Sequence, residues 1–343
     1  MGDPQFHRKE DWVTVQTDPA LVSIGMPVFN GERYLREAID SILSQTFRDF
    51  ELILCDNAST DDTERICRSY VTSTERVFYY RNSENLGAAF NYNKVFELSK
   101  GKYFKWAAAD DVMAPEFIEA CLPVLLKDTQ VVLSYPQTVL IDEYGKIIGG
   151  YCDKMDLPEV SALERYKHFH TRFRQRDKCN AIFGLLRSST LGSTRLIDRF
   201  VSSDIVLLSE LALLGKIHEV QKPLFYRRDH PQMSIRAFKA AERTAWFDTK
   251  QNGEKQAFVQ WRLGKEFLRS IWNTRLGISE RFGCSLEVMK WVGWRRRLLW
   301  LEGRSWLINH LHGLPAPVIR TLRYFWRFFN RQSKEMPSSG EGV

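Results

Sequence analysis

Leu21-Val-Ser-Ile-Gly-Met-Pro-Val-Phe-Asn-Gly31 reads as a buried strand running into a tight turn. A helix is predicted over 32–45, with Leu35, Ala38, Ile39, Ile42 and Leu43 on one face at i, i+3, i+4, i+7 and i+8. Glu51-Leu-Ile-Leu-Cys55 follows as a strand. It ends in Asp56-Asn-Ala-Ser-Thr-Asp-Asp-Thr63, where Ser59 or Thr60 can cap the next helix. Strand Val77–Arg81 leads to Asn82-Ser-Glu-Asn-Leu-Gly87 and a helix over 88–99. Strands alternating with helices of this length predict an α/β fold, a mostly parallel sheet with helices on both faces.

The fourth repeat carries the chemistry. Gly101-Lys-Tyr-Phe-Lys-Trp-Ala-Ala-Ala-Asp-Asp-Val-Met-Ala-Pro115 places strand Tyr103–Trp106 before small residues and two adjacent carboxylates, and Pro115 is expected to open a helix. Open α/β sheets bind ligands beyond the carboxyl ends of their strands. Four such ends present Asn30, Asp56, Asn85 and Asp110–Asp111 along one rim. Paired carboxylates suit hard cations, Mg²⁺ or Mn²⁺, which bridge to phosphates. The pattern predicts metal-assisted handling of a diphosphate.

In order and spacing, MPVFNG, SILSQTFRDFELILCDNASTDDT, ENLG and the DD of KWAAADD resemble family 2 of the inverting glycosyltransferases, over about residues 20–235. The resemblance implies the GT-A, Rossmann-like fold and a donor that is a nucleotide-diphosphate sugar. By resemblance Phe29, after Pro27, stacks on the base, with Asn30 beside it. Asp56 hydrogen-bonds the base, Asn85 and Gly87 line the nucleotide pocket, and Asp110 and Asp111 are similar to the metal and ribose carboxylates. The family pattern Asp-x-Asp-Asp stands here as Ala108-Ala109-Asp110-Asp111, so the first carboxylate is missing and the split of roles between the last two is open.

The second half supplies the acceptor side. Val139–Ile148 reads as a hairpin around Asp142–Gly145, 149–160 as a loop, 160–175 as a helix and Ala181–Arg187 as a strand. The apolar helix opened by Ser203 or Asp204 resembles the family helix whose first-turn Asp is the catalytic base, so that role passes to Asp204, with Glu210 and Asp198 next in line. Lys216–Val220 and Pro223–Arg228 read as short strands. Arg227-Arg-Asp-His-Pro-Gln-Met-Ser234 resembles the segment that closes over the diphosphate, with His230 the leading contact and Arg227, Arg228 and Arg236 weaker ones. The implied reaction is inverting transfer, hexosyltransferase-like, from the nucleotide sugar to an acceptor hydroxyl, in polysaccharide or glycolipid assembly. A nucleotidyltransferase acting on a sugar phosphate and a silent sugar-nucleotide-binding scaffold are the alternatives. Pro27–Arg33 is poor in the glycine a nucleotidyltransferase loop uses.

The 343 residues divide as an N-terminal segment 1–19, a catalytic domain 20–238, a basic, Trp-rich helical region 239–330 and a disordered tail 331–343. Met1–Pro19 does not read as a signal peptide, and no apolar run is long enough to span a membrane. The six cysteines show no metal spacing and are expected to be reduced and buried in a cytoplasmic protein. Of the net +7, residues 241–343 carry +9 and eight of the ten tryptophans. That coincidence, above all Trp294, Arg295–Arg297 and Trp300, predicts helices resting on an anionic membrane at its inner face, which suits a carbohydrate or lipid-linked acceptor. Nucleic acid is not an expected partner, because the catalytic half is not basic.

Overall fold

The computed structural model describes residues 19–173, 179–233, 236, 240–249 and 258–310. The predicted N-terminal segment, save its last residue, and the predicted tail lie outside them, as does Ile319–Phe329.

Four strands, β1 (Val22–Val28), β2 (Phe50–Asp56), β3 (Val77–Arg81) and β4 (Tyr103–Trp106), run parallel in the order β3-β2-β1-β4. Their carboxyl ends therefore share one edge. The helices between them are α1 (Leu35–Leu43), α2 (Thr63–Ser73) and α3 (Ala88–Glu97). The apolar face predicted for the first helix is the buried one: Leu35, Ala38, Ile39 and Ile42. Pro115 stands two residues ahead of α4 (Phe117–Lys127), whose N-cap is Glu116, so the helix opens later than predicted.

Beyond β4 the sheet becomes mixed. β5 (Val112–Met113), β6 (Val131–Ile141), β7 (Ile147–Tyr151), β8 (Leu185–Arg187) and β9 (Lys216–Arg228) complete the order β3-β2-β1-β4-β8-β6-β9-β5, with β7 paired to β6. β8 is antiparallel to both β4 and β6, whereas β6 and β9 are parallel. The predicted hairpin is β6–β7, and its second strand takes in Gly149–Tyr151, which had been assigned to the loop. The two short strands predicted after 216 are one, β9, with register shifts on both sides of Gln137, opposite Pro223, and another between Val131 and Leu133. Proline lacks an N–H for the ladder, and the irregularity absorbs that loss. Ala181–Phe183 is a 3₁₀ turn rather than strand, leaving three residues for β8.

Two apolar layers sandwich the sheet. One joins α1, α2 and α4 to β1 and β2 through Ile39, Ile66, Phe117 and Leu125. The other collects α3, α5 (Ala162–Phe173), α7 (Ser203–Leu214), α9 (Val259–Asn273) and α10 (Ile278–His310). A single-turn helix, α6 (Ser188–Leu191), follows β8, and α8 (Ala240–Phe247) precedes α9. Phe267, Ile271, Val288 and Trp291 are fully buried in the same cluster as Tyr166, Phe169, Leu208 and Leu211, so residues on both sides of 238 share one core. Arg195 pins them further: its guanidinium meets Glu210 of α7 at 2.7 Å, Ser270 of α9 at 2.8 Å and the carboxylate of Glu266. Burying large apolar side chains on this scale contributes about 1.5–3 kcal/mol each, which holds α9 and α10 against the sheet domain. The six cysteines carry free thiols; Cys55, Cys67, Cys121 and Cys284 are buried, but Cys152 and Cys179 are only half-buried.

Candidate active site at the strand ends

A cleft of about 540 Å³ opens at the shared edge of β1, β2 and β4. Pro27, Phe29, Asn30, Asn85, Asp110, Asp111, Arg227 and His230 all line it. Residues more than two hundred apart in sequence thus meet in one cavity.

Phe29 is 43% exposed, an unusual state for an aromatic at a strand end, and it faces this cavity. Asn30 adopts a left-handed φ of 51°, and its side-chain oxygen accepts the Thr60 N–H at 2.9 Å. The β1 turn is thereby tied to the loop after β2. Asp56, in contrast, is fully buried and is not part of the cavity wall. Its carboxylate accepts the Ser59 N–H at 2.8 Å, the Tyr79 hydroxyl at 2.8 Å and the Arg81 guanidinium. It organises the loop from behind. Asn57 does line the cavity, and sequence reasoning passed it over. Its amide donates to Asn85 Oδ1 at 2.8 Å, and its oxygen accepts from Asn82 Nδ2 and the Leu86 N–H. The recurrence of asparagine at 57, 82, 85 and 91 was the available signal.

Gly87 has φ +88°, and it abuts the end of α8. A Cβ there would lie 2.7 Å from the Phe247 carbonyl oxygen. Thr249 Oγ1 donates to the Asn85 carbonyl at 3.2 Å across the same seam. Ala245 and Trp246 of α8 then line the cavity. Gly87→Ala combines a left-handed φ with a backbone clash. It is expected to cost roughly 1–3 kcal/mol of stability, read from the urea midpoint, and to unseat α8 from the cleft.

The acidic corner is built by β9. Asp111 is 8% exposed, and its Oδ1 accepts the Arg228 N–H at 2.9 Å. Burial, reinforced by the neighbouring Asp110 charge, pushes the Asp111 carboxyl well above the usual carboxylate range. His230 Nε2 lies 2.9 Å from Asp110 Oδ2, and its ring packs 4.8 Å from that of Tyr34. Arg228 is buried and spoken for: it meets Glu37 at 2.6 Å, the Asp110 carbonyl at 2.9 Å and the Asp142 carbonyl at 3.3 Å. It lines the cavity together with Arg33 and Arg227, but its guanidinium is committed to framing the corner, whereas Arg227 is steadied by Asn180 Oδ1 at 2.7 Å. Arg236 pairs with Asp229 at 2.7 Å and does not line the cleft. Beneath Asp111 lies Lys105, fully buried, its amine donating to the Trp106 and Phe183 carbonyls. Burial pushes its pKa down to about 7.

Asp204 sits in the first turn of α7 and does not itself line the cavity. Burial raises its pKa, opposed by the first-turn amides and by Arg227. Tyr92, which does line the cavity, has its hydroxyl pKa raised by burial and then by Asp110, Asp111 and Asp204. The three carboxylates therefore converge on one neighbourhood.

Among the described residues, no group of three or more His, Cys, Asp or Glu is arranged to hold a metal. Two adjacent carboxylates, one with its pKa raised by burial and then by its neighbour's charge, nevertheless fit a Mg²⁺ or Mn²⁺ ion completed by phosphate and water oxygens. Ala108 and Ala109 line the cavity where a further carboxylate is absent.

Residues 23–182 match the family model of glycosyl transferase family 2. An uncharacterized glycosyltransferase of Rickettsia prowazekii is 36% identical over 192 residues, 55% of this chain and 54% of that protein. The chondroitin synthase of Escherichia coli is 34% identical over 153 residues, 43% of this chain and 22% of that enzyme. The chain thus spans about half, or less, of the length of the curated relatives it matches. Among solved structures, S. aureus TarS 1-349 in complex with UDP-GlcNAc is similar with a TM-score of 0.58 at 16% identity, over 78% of this chain and 71% of that one. The mannosyltransferase PcManGT from Pyrobaculum calidifontis, in complex with GDP-Man and Mn2+, gives 0.52 at 15% identity, over 91% and 81%. These two likenesses establish the GT-A fold.

Proposed function

We propose that the chain transfers a sugar from a nucleotide-diphosphate sugar to an acceptor hydroxyl, with inversion; the match of residues 23–182 to the glycosyl transferase family 2 model supports this reading. The observation that carries this reading is the meeting of Phe29, Asn85, Asp110, Asp111, Arg227 and His230 in one cleft at the strand ends. The bound nucleotides named for the two similar structures support a donor of this class.

Each group has a part. The Phe29 ring offers a face to the base, and the Asn57–Asn85 bond fixes the loop beside it. A divalent cation on Asp110 and Asp111 would neutralise the departing diphosphate as a Lewis acid. Arg227 and His230 add donors aimed at the same charge. Arg228 fixes Asp111 through its backbone N–H and keeps the corner rigid through Glu37. Asp204 accepts the proton of the attacking hydroxyl. Attack from the side opposite the leaving group inverts the anomeric carbon without a covalent enzyme intermediate. A hexose is the sugar class this reading favours, with an acceptor in polysaccharide or glycolipid assembly at the inner face of the cytoplasmic membrane.

A panel of sugar nucleotides, screened by thermal shift with and without Mn²⁺, tests the proposal. Mass action gives a true donor at a hundred times its Kd about 2.7 kcal/mol of stabilisation, a rise of several degrees. Turnover should release free nucleoside diphosphate. Release of pyrophosphate from a nucleoside triphosphate and a sugar phosphate would favour a nucleotidyltransferase, and binding without release would favour a silent scaffold.

A further inference from the structure

The packing of α9 and α10 against the core leaves an outer face of unusual composition. On α10, Ile278, Phe282, Leu286 and Met289 follow one another at steps of four, four and three, which puts them on one stripe. They are 88%, 68%, 46% and 58% exposed. The opposite side of the same helix carries Cys284, Val288 and Trp291, all fully buried. The stripe is therefore surplus to the fold. Trp272, at the end of α9, is 62% exposed and lies under the Arg281 guanidinium at 5.7 Å. Trp261, at the other end of α9, is 54% exposed and donates its indole N–H to the Leu299 carbonyl at 3.0 Å. The helix pair is bracketed by a half-exposed indole at each end.

The charges on this surface have one sign. Lys265, Arg269, Arg275, Lys290, Arg296 and Arg297 are exposed. From 259 to 305 no carboxylate is exposed. Glu266 and Glu287 are buried in ion pairs with Arg195 and Lys290, and Glu302 turns inward to accept the Gln260 N–H at 2.9 Å. Glu280 is half-buried. The acidic groups of both helices are thus drawn inward or shielded, and what faces out is apolar and basic.

We propose that the outer face of α9 and α10 docks on the interface of an anionic lipid bilayer, with the Ile278–Met289 stripe immersed and the basic side chains on lipid phosphates. Exposed apolar residues flanked by Lys and Arg, with indoles at headgroup depth, are what such an interface rewards. Nucleic acid would use the cations but has no use for an aliphatic stripe. None of the described helices is long and apolar enough to cross a membrane, so the contact is peripheral. The stripe lies on the same helix as the Arg295–Arg297 cluster expected from sequence, where Arg296 and Arg297 are exposed and Trp294 is 40% exposed, so it adds an apolar element to that contact. The proposal rests on the membrane placement offered above, not on the transfer chemistry.

The full chain is sedimented with phosphatidylcholine vesicles, with and without phosphatidylserine, at low and high salt. Binding is expected on anionic vesicles and should fall as salt rises. Phe282→Ser with Met289→Ser should weaken it by roughly tenfold or more. Both positions are exposed, so an unchanged Tm certifies the variant. Absence of binding to anionic vesicles at low salt, or a double variant that sediments like the native chain, would overturn the proposal. Tight binding to an RNA oligomer without vesicle binding would overturn it in favour of nucleic acid. None of these readouts depends on sugar transfer, so they separate the failure of this surface from the failure of the site.

Discussion

Asp204→Asn is expected to lower turnover by about 10²–10⁴-fold, the usual scale for a positioned general base, and to leave donor affinity nearly unchanged. The reason is location. Asp204 opens α7 within electrostatic reach of Tyr92 and Arg227 and does not line the cleft, so the role proposed for it is toward the acceptor and not the nucleotide. Partial burial makes it a stronger base than an exposed aspartate, because desolvation raises its pKa. Only the ionised form can accept one. The rate should therefore fall as pH drops through the Asp204 pKa, above the ordinary carboxylate range, and the Asn variant should lose that limb. Steady-state kinetics against pH, with donor binding measured separately, checks this. Near-normal turnover in Asp204→Asn would move the base elsewhere. Glu210 is an unpromising substitute, since it is committed to Arg195 at 2.7 Å and to Ser270 at 2.9 Å. Asp198 would come next.

What was legible in the sequence follows from how local the signal was. β3 and β4 run where the sequence and its flanking turns put them, because each strand and its turn are written in consecutive residues. The rim of strand ends followed, since parallel β1–β4 must share an edge. Less legible were roles decided by partners far away. Asp56 reads like a ligand contact, but Tyr79 and Arg81 from the neighbouring strand take up its carboxylate. Arg228 reads like a phosphate contact, but Glu37, 191 residues earlier, takes its guanidinium. Trp246 looked like one tryptophan among eight in a basic region, and only the docking of α8 on Gly87 brings it to the cleft. Lys105 gave no signal at all, since a lysine in a strand normally faces water.

Asp111→Asn is expected to abolish detectable transfer, a loss of about 10³-fold or more, whereas Asp110→Asn should weaken it by roughly tenfold. The asymmetry comes from the surroundings. Asp111 is the buried member, oriented by the Arg228 N–H, with Lys105 below it and Arg227 beside it. Asp110 is more exposed and shares its charge with His230. The same burial makes a second, opposite effect on stability. A carboxyl whose folded pKa is raised above its unfolded value destabilises the native state once pH exceeds the unfolded value, because ionisation is then easier in the unfolded chain. Asparagine has no charge to bury and can still accept the Arg228 N–H through its Oδ1. The free variant should therefore melt at a higher temperature than the native chain above neutral pH, while losing the thermal shift that Mn²⁺ and donor confer together. Stability rising as activity and metal response vanish is the signature of a residue kept for function against the interest of the fold. Full activity of Asp111→Asn in the presence of a chelator would reject both the metal and its ligand.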